Sequence, residues 1–264
     1  MHHPDSPEDT GFLVILHEVS CSRITHEQYS REPERKYTMD FGTMLSELTV
    51  GMLESIKIFF LTLIFSLPLG LLVCAGRLSK HAWLRYTVSF IISVLRGTPL
   101  MLQLLVVYFF PYYLFGWSIS GWRYPAIIVG FSINYAAYFA EIYRSGITAI
   151  PKGQWEAAEI LGYTKQQTFF RIIFPQMLRV VLPALTNEII TLVKDTSLAF
   201  SLSYMEMFTL AKQIAASETT FLPFVISAVF YYVFNLLVTV VMNRFEKKLN
   251  YEKKDLKVKK GARQ

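Results

Sequence analysis

Lipid-length runs without charge constrain this chain more than any other feature. Residues 58–75 contain no Asp, Glu, Lys or Arg, and the same is true of 97–122, 124–140 and 219–243. A helix rising 1.5 Å per residue needs about 20 mostly apolar residues to cross a hydrocarbon core roughly 30 Å thick. A fifth stretch, 180–205, is apolar but carries Glu188, Lys194 and Asp195. The ten residues 86–95 lead into 97–122 across Arg96. Ten are too few to cross alone, so the two pieces are counted as one span, giving five. A six-span alternative would let them cross separately. The expected spans are 56–76, 86–114, 124–143, 182–205 and 221–243.

Charge then sets orientation. Only 17% of residues are charged, against about 25% in soluble domains. That composition excludes a disordered chain, and two cysteines, Cys21 and Cys74, exclude a disulfide scaffold. The net charge of +6 is placed unevenly. Arg77, Lys80 and Arg85 follow span 1, Arg144, Lys152, Lys165, Arg171 and Arg179 lie in 141–179, and 244–264 holds nine basic residues against three acidic ones. The opposite loops hold only Arg123 and Lys212. Basic loops face the cytoplasm. Five spans with a cytoplasmic C-terminus therefore put the N-terminus outside, and the basic excess marks topology, not nucleic acid.

Four regions are expected. Residues 1–40 form a polar, disordered extension with four basic and eight acidic residues. Its short apolar island has no basic flank, so it is no signal peptide. Its four histidines lack metal-site spacing, and Met39 is a candidate natural start. Residues 41–53 read as an amphipathic lead-in, 54–245 as the transmembrane domain, and 246–264 as a basic cytoplasmic tail.

The segment 150–175 reads IPKGQWEAAEILGYTKQQTFFRIIFP. Pro151 suits a first helical turn and Gly162 a helix end. The helix between them is about ten residues long, too short to span and too polar to hide in lipid. It fits a device that receives a push from a soluble partner; an ordinary interfacial helix is the plainer alternative.

Inside the membrane, Glu188 and Asp195 are seven residues apart, about 20° short of two full turns, so they share a helix face about 10 Å apart. Asn187, Thr191 and Lys194 line the adjoining stripe. Charge at bilayer depth costs roughly 2.5–3.5 kcal/mol or more, so such groups face a cavity or a partner. The acids suit cationic parts of a small solute, and Lys194 suits a carboxylate or a neighbouring acid; a structural ion pair is the alternative. Arg96-Gly97-Thr98-Pro99 marks a helix break, because Pro99 removes a hydrogen bond and clashes with the preceding turn. Breaks at membrane depth offer backbone to a cavity. Arg96 would close a gate or anchor the break to an acid on span 3 or 4, and a simple packing kink is again the alternative. The aromatic run 108–113, with Trp117 and Trp122, reads as an interfacial belt.

Glu156-Ala157-Ala158, then Gly162, Ile172, Phe174 and Pro175 at the observed spacing, resemble the EAA loop of permeases of the ATP-binding-cassette (ABC) importer class, with Phe174 in place of Leu. Leu95-Arg96-Gly97-Thr98-Pro99-Leu100 and Leu192-Val193-Lys194-Asp195-Thr196-Ser197-Leu198 resemble motifs of the polar amino-acid uptake branch. The resemblance covers about 54–245. It implies an all-α integral membrane fold of the type I ABC importer permease kind, with five transmembrane helices plus a cytoplasmic coupling helix, in the plasma or inner membrane. It implies two ABC ATPase subunits docked on Glu156, Ala157, Ala158 and Gly162, a second permease copy or sister, and an extracytoplasmic amino-acid-binding protein. The implied substrate path includes Glu188, Asp195, Lys194, Asn187, Thr191, Arg96 and Thr98. No cofactor or metal is expected on this chain; ATP and Mg belong to the ATPase. No Gly is followed by Lys, so no G-x-x-x-x-G-K phosphate loop exists here. Related small solutes, such as cystine or opines, are an alternative cargo. A Ser–Lys enzyme using Ser197 and Lys194 is a distant one, and an ion channel would leave the EAA-like loop unexplained.

Overall fold

The structure, a computed structural model, describes residues 39–261, with side chains described through residue 249. Of the extension expected at 1–40, residues 1–38, with the histidines and Cys21, lie outside the described residues, as does the end of the tail; Asp40 belongs to the start of the first helix. Nine α-helices follow one another among the described residues: α1 (Phe41–Arg77), α2 (Ala82–Gly97), α3 (Leu100–Phe115), α4 (Arg123–Thr148), α5 (Lys152–Ile160), α6 (Lys165–Gln167), α7 (Phe174–Asp195), α8 (Met207–Ser217) and α9 (Leu222–Gly261). A π-helical turn (Thr168–Ile173) precedes α7 and a 3₁₀ turn (Thr196–Leu202) follows it.

Four segments are long and apolar enough to cross a membrane, or five if the bent pair α2–α3 counts as one. That pair turns by 114° at Thr98-Pro99, both extended. Pro99 has no N–H to continue the ladder, and the residue before a proline is pushed out of helical geometry.

Several boundaries differ from the expectation. The lead-in 41–53 is the first part of α1, started by Asp40, whose carboxylate accepts from the Gly42 N–H. The helical path into the fourth span starts at Lys165 and ends at Leu202. The helix expected to end near 243 continues as α9 through the basic residues to Gly261. α8 was not foreseen, because 206–217 lies in a loop by hydropathy.

α4 forms the centre, with Phe131, Tyr135 and Phe139 fully buried between α1, α3 and α7. Association in lipid relies on close packing, which small residues permit. A Cβ on Gly70 of α1 would sit 2.8 Å from Phe139 Cβ, and one on Gly146 of α4 would run into Val181 Cγ1 of α7. Glu141 of α4 joins α1 at one end, its carboxylate 3.3 Å from Arg77, and is held from within α4 by Arg144 at 2.8 Å.

Candidate functional site

Two regions collect the residues singled out by sequence. The first is the helical turn around α5. Pro151 is the residue immediately before its first turn, one place earlier than anticipated. Its far end is closed by Gly162 at φ +77, where an L side chain would be strained. The Tyr163 N–H donates to the Ala158 carbonyl at 3.0 Å and the Gly162 N–H to the Glu159 carbonyl at 3.0 Å, a Schellman closure. Thr164 then opens α6 through a capping box: its hydroxyl accepts from the Gln167 N–H, and Gln167 Oε1 accepts from the Thr164 N–H. The end of α5 and the start of α6 are thus fixed within three residues of chain, 162–164, while the N-terminal end of α5 has no side-chain cap.

α5 rests on the π-helical turn, with Ala158 buried, while Glu156, Ala157 and Gly162 are exposed. Beside them Ile160 is 86% and Leu161 72% exposed. The end of this polar helix thus presents two bare aliphatic side chains.

The second region surrounds the break between α2 and α3. Breaking a helix leaves carbonyls without partners. Gln103 of α3 turns back and donates through Nε2 to the Leu95 carbonyl (2.7 Å), the Thr98 carbonyl (3.1 Å) and Thr98 Oγ1 (2.8 Å). Asn134 of α4, buried, donates to Gln103 Oε1 at 2.9 Å and to the Leu95 carbonyl at 3.3 Å. One turn further along α4, Tyr138 places its ring 5.1 Å from the Arg96 guanidinium, a cation–π contact. Arg96 therefore does not anchor the break to an acid; the Gln103–Asn134 pair holds it, and Arg96 lies on an aromatic face.

Asp195 accepts a 2.7 Å hydrogen bond from the Tyr135 hydroxyl of α4. Glu188 is half-buried, with Arg96 and Asp195 both in electrostatic reach of it. Neither Glu188 nor Arg96 makes a salt bridge among the described residues, where all three ion pairs lie elsewhere. Thus Asp195 pairs with Tyr135 and Arg96 with Tyr138, Glu188 lies in electrostatic reach of Arg96 and Asp195, and Thr98 is held by Gln103 at the break. Asn187, Thr191 and Lys194 form a separate exposed stripe on α7, and the Thr191 hydroxyl donates to the Asn187 carbonyl at 3.0 Å. Lys194 has no salt bridge to either acid.

Sequence reasoning missed Gln103, Asn134, Tyr135 and Tyr138. Asn134 and Tyr138 carried a usable signal, two polar groups one turn apart in an apolar run. It also missed Glu206, a fully buried carboxylate between two methionines. Glu206 caps α8 by accepting from the Phe208 N–H (2.9 Å), the Thr209 N–H (2.7 Å) and the Thr209 hydroxyl (2.9 Å). It also accepts from Ser55 Oγ of α1 (3.2 Å) and the Tyr231 hydroxyl of α9 (3.1 Å).

Comparison with known proteins adds the following. Residues 66–251 match the family described as the binding-protein-dependent transport system inner membrane component. The L-cystine transport system permease protein TcyB of Bacillus subtilis is 36% identical over 206 residues, 77% of this chain and 86% of that protein. The putative glutamine transport system permease protein GlnP of Rickettsia bellii is 35% identical over 216 residues, 81% of this chain and 98% of that one. The arginine transport system permease protein ArtQ of B. subtilis is 34% identical over 215 residues, 80% and 97% of the two chains. Among solved structures, an amino acid ABC transporter crystallised with histidines superposes with a TM-score of 0.70 at 31% identity, covering 80% of this chain and 99% of that chain. An inward-facing MetNI methionine transporter shares the fold, with a TM-score of 0.60 at 21% identity over 78% and 94% of the chains.

Proposed function

This chain belongs to the binding-protein-dependent transport inner membrane component family and is the permease subunit of an amino-acid ABC importer, and from that premise we propose how its two polar regions work. α5 is the seat of a separate ATPase subunit, with Glu156, Ala157, Ala158 and Gly162 in the contact and Ile160 and Leu161 filling a pocket on it. The exposed helix, closed at its C-terminal end by Gly162, carries this reading. A stiff short helix transmits displacement, and its base on the π-helical turn leads directly into α7, which bears Glu188 and Asp195. The partner ATPase supplies ATP and Mg chemistry; this chain supplies the lever and the path.

The path is lined by Glu188, Asp195, Arg96 and Thr98, with Lys194, Asn187 and Thr191 on the adjoining stripe. An amino acid loses hydration of both its ammonium and its carboxylate on entering. Glu188, without a salt bridge among the described residues, faces the side chain of a cationic cargo, and Tyr135 holds Asp195 in place. Two permease copies or a sister pair, two ATPases and an extracytoplasmic binding protein complete the importer. The N-terminus lies outside and the basic end of α9 in the cytoplasm. The relatives named for cystine, glutamine and arginine suggest a polar amino acid as cargo.

The test is ATP hydrolysis by the co-purified complex in proteoliposomes. Hydrolysis should rise only when both the binding protein and its amino acid are present. Glu156→Lys should insert normally yet lose that stimulation and uptake. Full uptake by Glu156→Lys would remove α5 as the docking element.

A further inference from the structure

Gln103 Nε2 has two hydrogens, yet three acceptors surround it at 2.7, 3.1 and 2.8 Å. Two are carbonyls at the C-terminal end of α2, where a helix concentrates partial negative charge. The third is Thr98 Oγ1, whose own hydrogen is committed to the Val94 carbonyl at 2.9 Å, so the oxygen faces Gln103 as an acceptor. An amide satisfies two of the three at once, and the Leu95 carbonyl has only a longer second donor, Asn134 Nδ2 at 3.3 Å. A primary ammonium group carries three donors on one nitrogen and would satisfy all three, each as a charge-assisted bond. Asn134 grips Gln103 Oε1, so the amide nitrogen is held toward the triad. Arg96 lies within the same four-residue break, exposed and without a salt bridge among the described residues.

We infer that the Leu95 carbonyl, the Thr98 carbonyl and the Thr98 hydroxyl form a site for the primary ammonium of the transported amino acid. The Gln103 amide fills it in the empty protein, and Arg96 is the adjacent partner for the substrate carboxylate. Entry of the ligand exchanges the amide for the ammonium and frees the Gln103 side chain. An α-hydroxy acid of the same skeleton offers one donor and fills the triad poorly. The inference rests on the permease reading above.

The test uses the detergent-purified permease–ATPase complex without binding protein. Radiolabelled L-arginine, L-glutamine and L-cystine are each titrated against wild type, Gln103→Leu and Gln103→Glu. At least one should bind wild type, and Gln103→Leu should bind it about tenfold tighter, because the built-in competitor worth roughly one hydrogen bond is gone. Gln103→Glu should also bind tighter, since a carboxylate is repelled by the acceptors and attracts the cation; it decides the matter if the leucine variant does not assemble. The matching α-hydroxy acid should compete at least tenfold less well than the amino acid. The site is refuted if both variants assemble and bind no tighter, if the hydroxy acid competes equally, or if none of the three ligands binds wild type or variants. Should binding-protein-stimulated ATP hydrolysis persist in wild type alongside such a result, the ammonium site fails and the permease reading stands. Loss of that stimulation in wild type strikes the permease reading instead.

Discussion

Replacing Glu206 should destabilise the protein in a graded order, glutamate above glutamine above alanine. Its carboxylate accepts five hydrogen bonds from α1, α8 and α9, fully buried. Alanine removes the cap on α8, about 1 kcal/mol. It also strips the hydroxyls of Ser55, Thr209 and Tyr231 of an acceptor, and a buried group left unsatisfied costs about 1–3 kcal/mol. Ser55 retains the Gly51 carbonyl at 3.3 Å, so not all three are orphaned. The expected loss is about 3 kcal/mol. Glutamine keeps the shape, but either placement of its NH₂ sets a donor against a backbone N–H, Phe208 or Thr209, costing about 1–2 kcal/mol. At about 2–4 °C per kcal/mol, thermal unfolding in detergent should fall by roughly 6–12 °C for alanine and 2–8 °C for glutamine. A glutamine variant as stable as wild type, or an alanine variant as stable as glutamine, would refute the reasoning.

Other perturbations separate the two polar regions. Gly162→Ala should weaken the α5 turn by about 1 kcal/mol and leave ATPase coupling measurable, because alanine visits positive φ at a cost. Gly162→Pro demands φ near −65° and removes an N–H bonded to Glu159, so membrane insertion should persist while stimulated hydrolysis and uptake separate. Asp195→Asn keeps an acceptor for Tyr135 but deletes the charge, and uptake assays should show it falling well below Tyr135→Phe, which keeps the charge and loses one bond. Unchanged transport and selectivity in Asp195→Asn would end the path assignment. Gly146→Val should reduce the amount of folded protein in membranes, since even a Cβ there collides with Val181 and approaches Met177 Cγ at 3.0 Å. Wild-type yield for that variant would show that α4 and α7 part easily.

The sequence by itself determined the helical membrane class, the break at Pro99 and the turn at Gly162, and it carried the family. Each follows from local chemistry: backbone groups in lipid must be paired within a helix, proline removes a donor, and only glycine enters positive φ without strain. Individual charges such as Glu188 and Asp195 also stood out, because charge in an apolar run is costly wherever the run folds. What pairs with what was decided only by tertiary structure. Gln103 lies eight residues from the Leu95 carbonyl it satisfies and 31 from Asn134. Tyr135 is 60 residues from Asp195, and Ser55 is 151 from Glu206. No periodicity encodes such separations. The lead-in merged with α1 and the basic segment continued α9 because polarity decides where a helix leaves lipid, not where its hydrogen-bond ladder stops. Arg96 lies over the Tyr138 ring and makes no salt bridge among the described residues, because the packing of α2 against α4 brings a ring to the guanidinium, and that geometry exists only once the break has turned the chain.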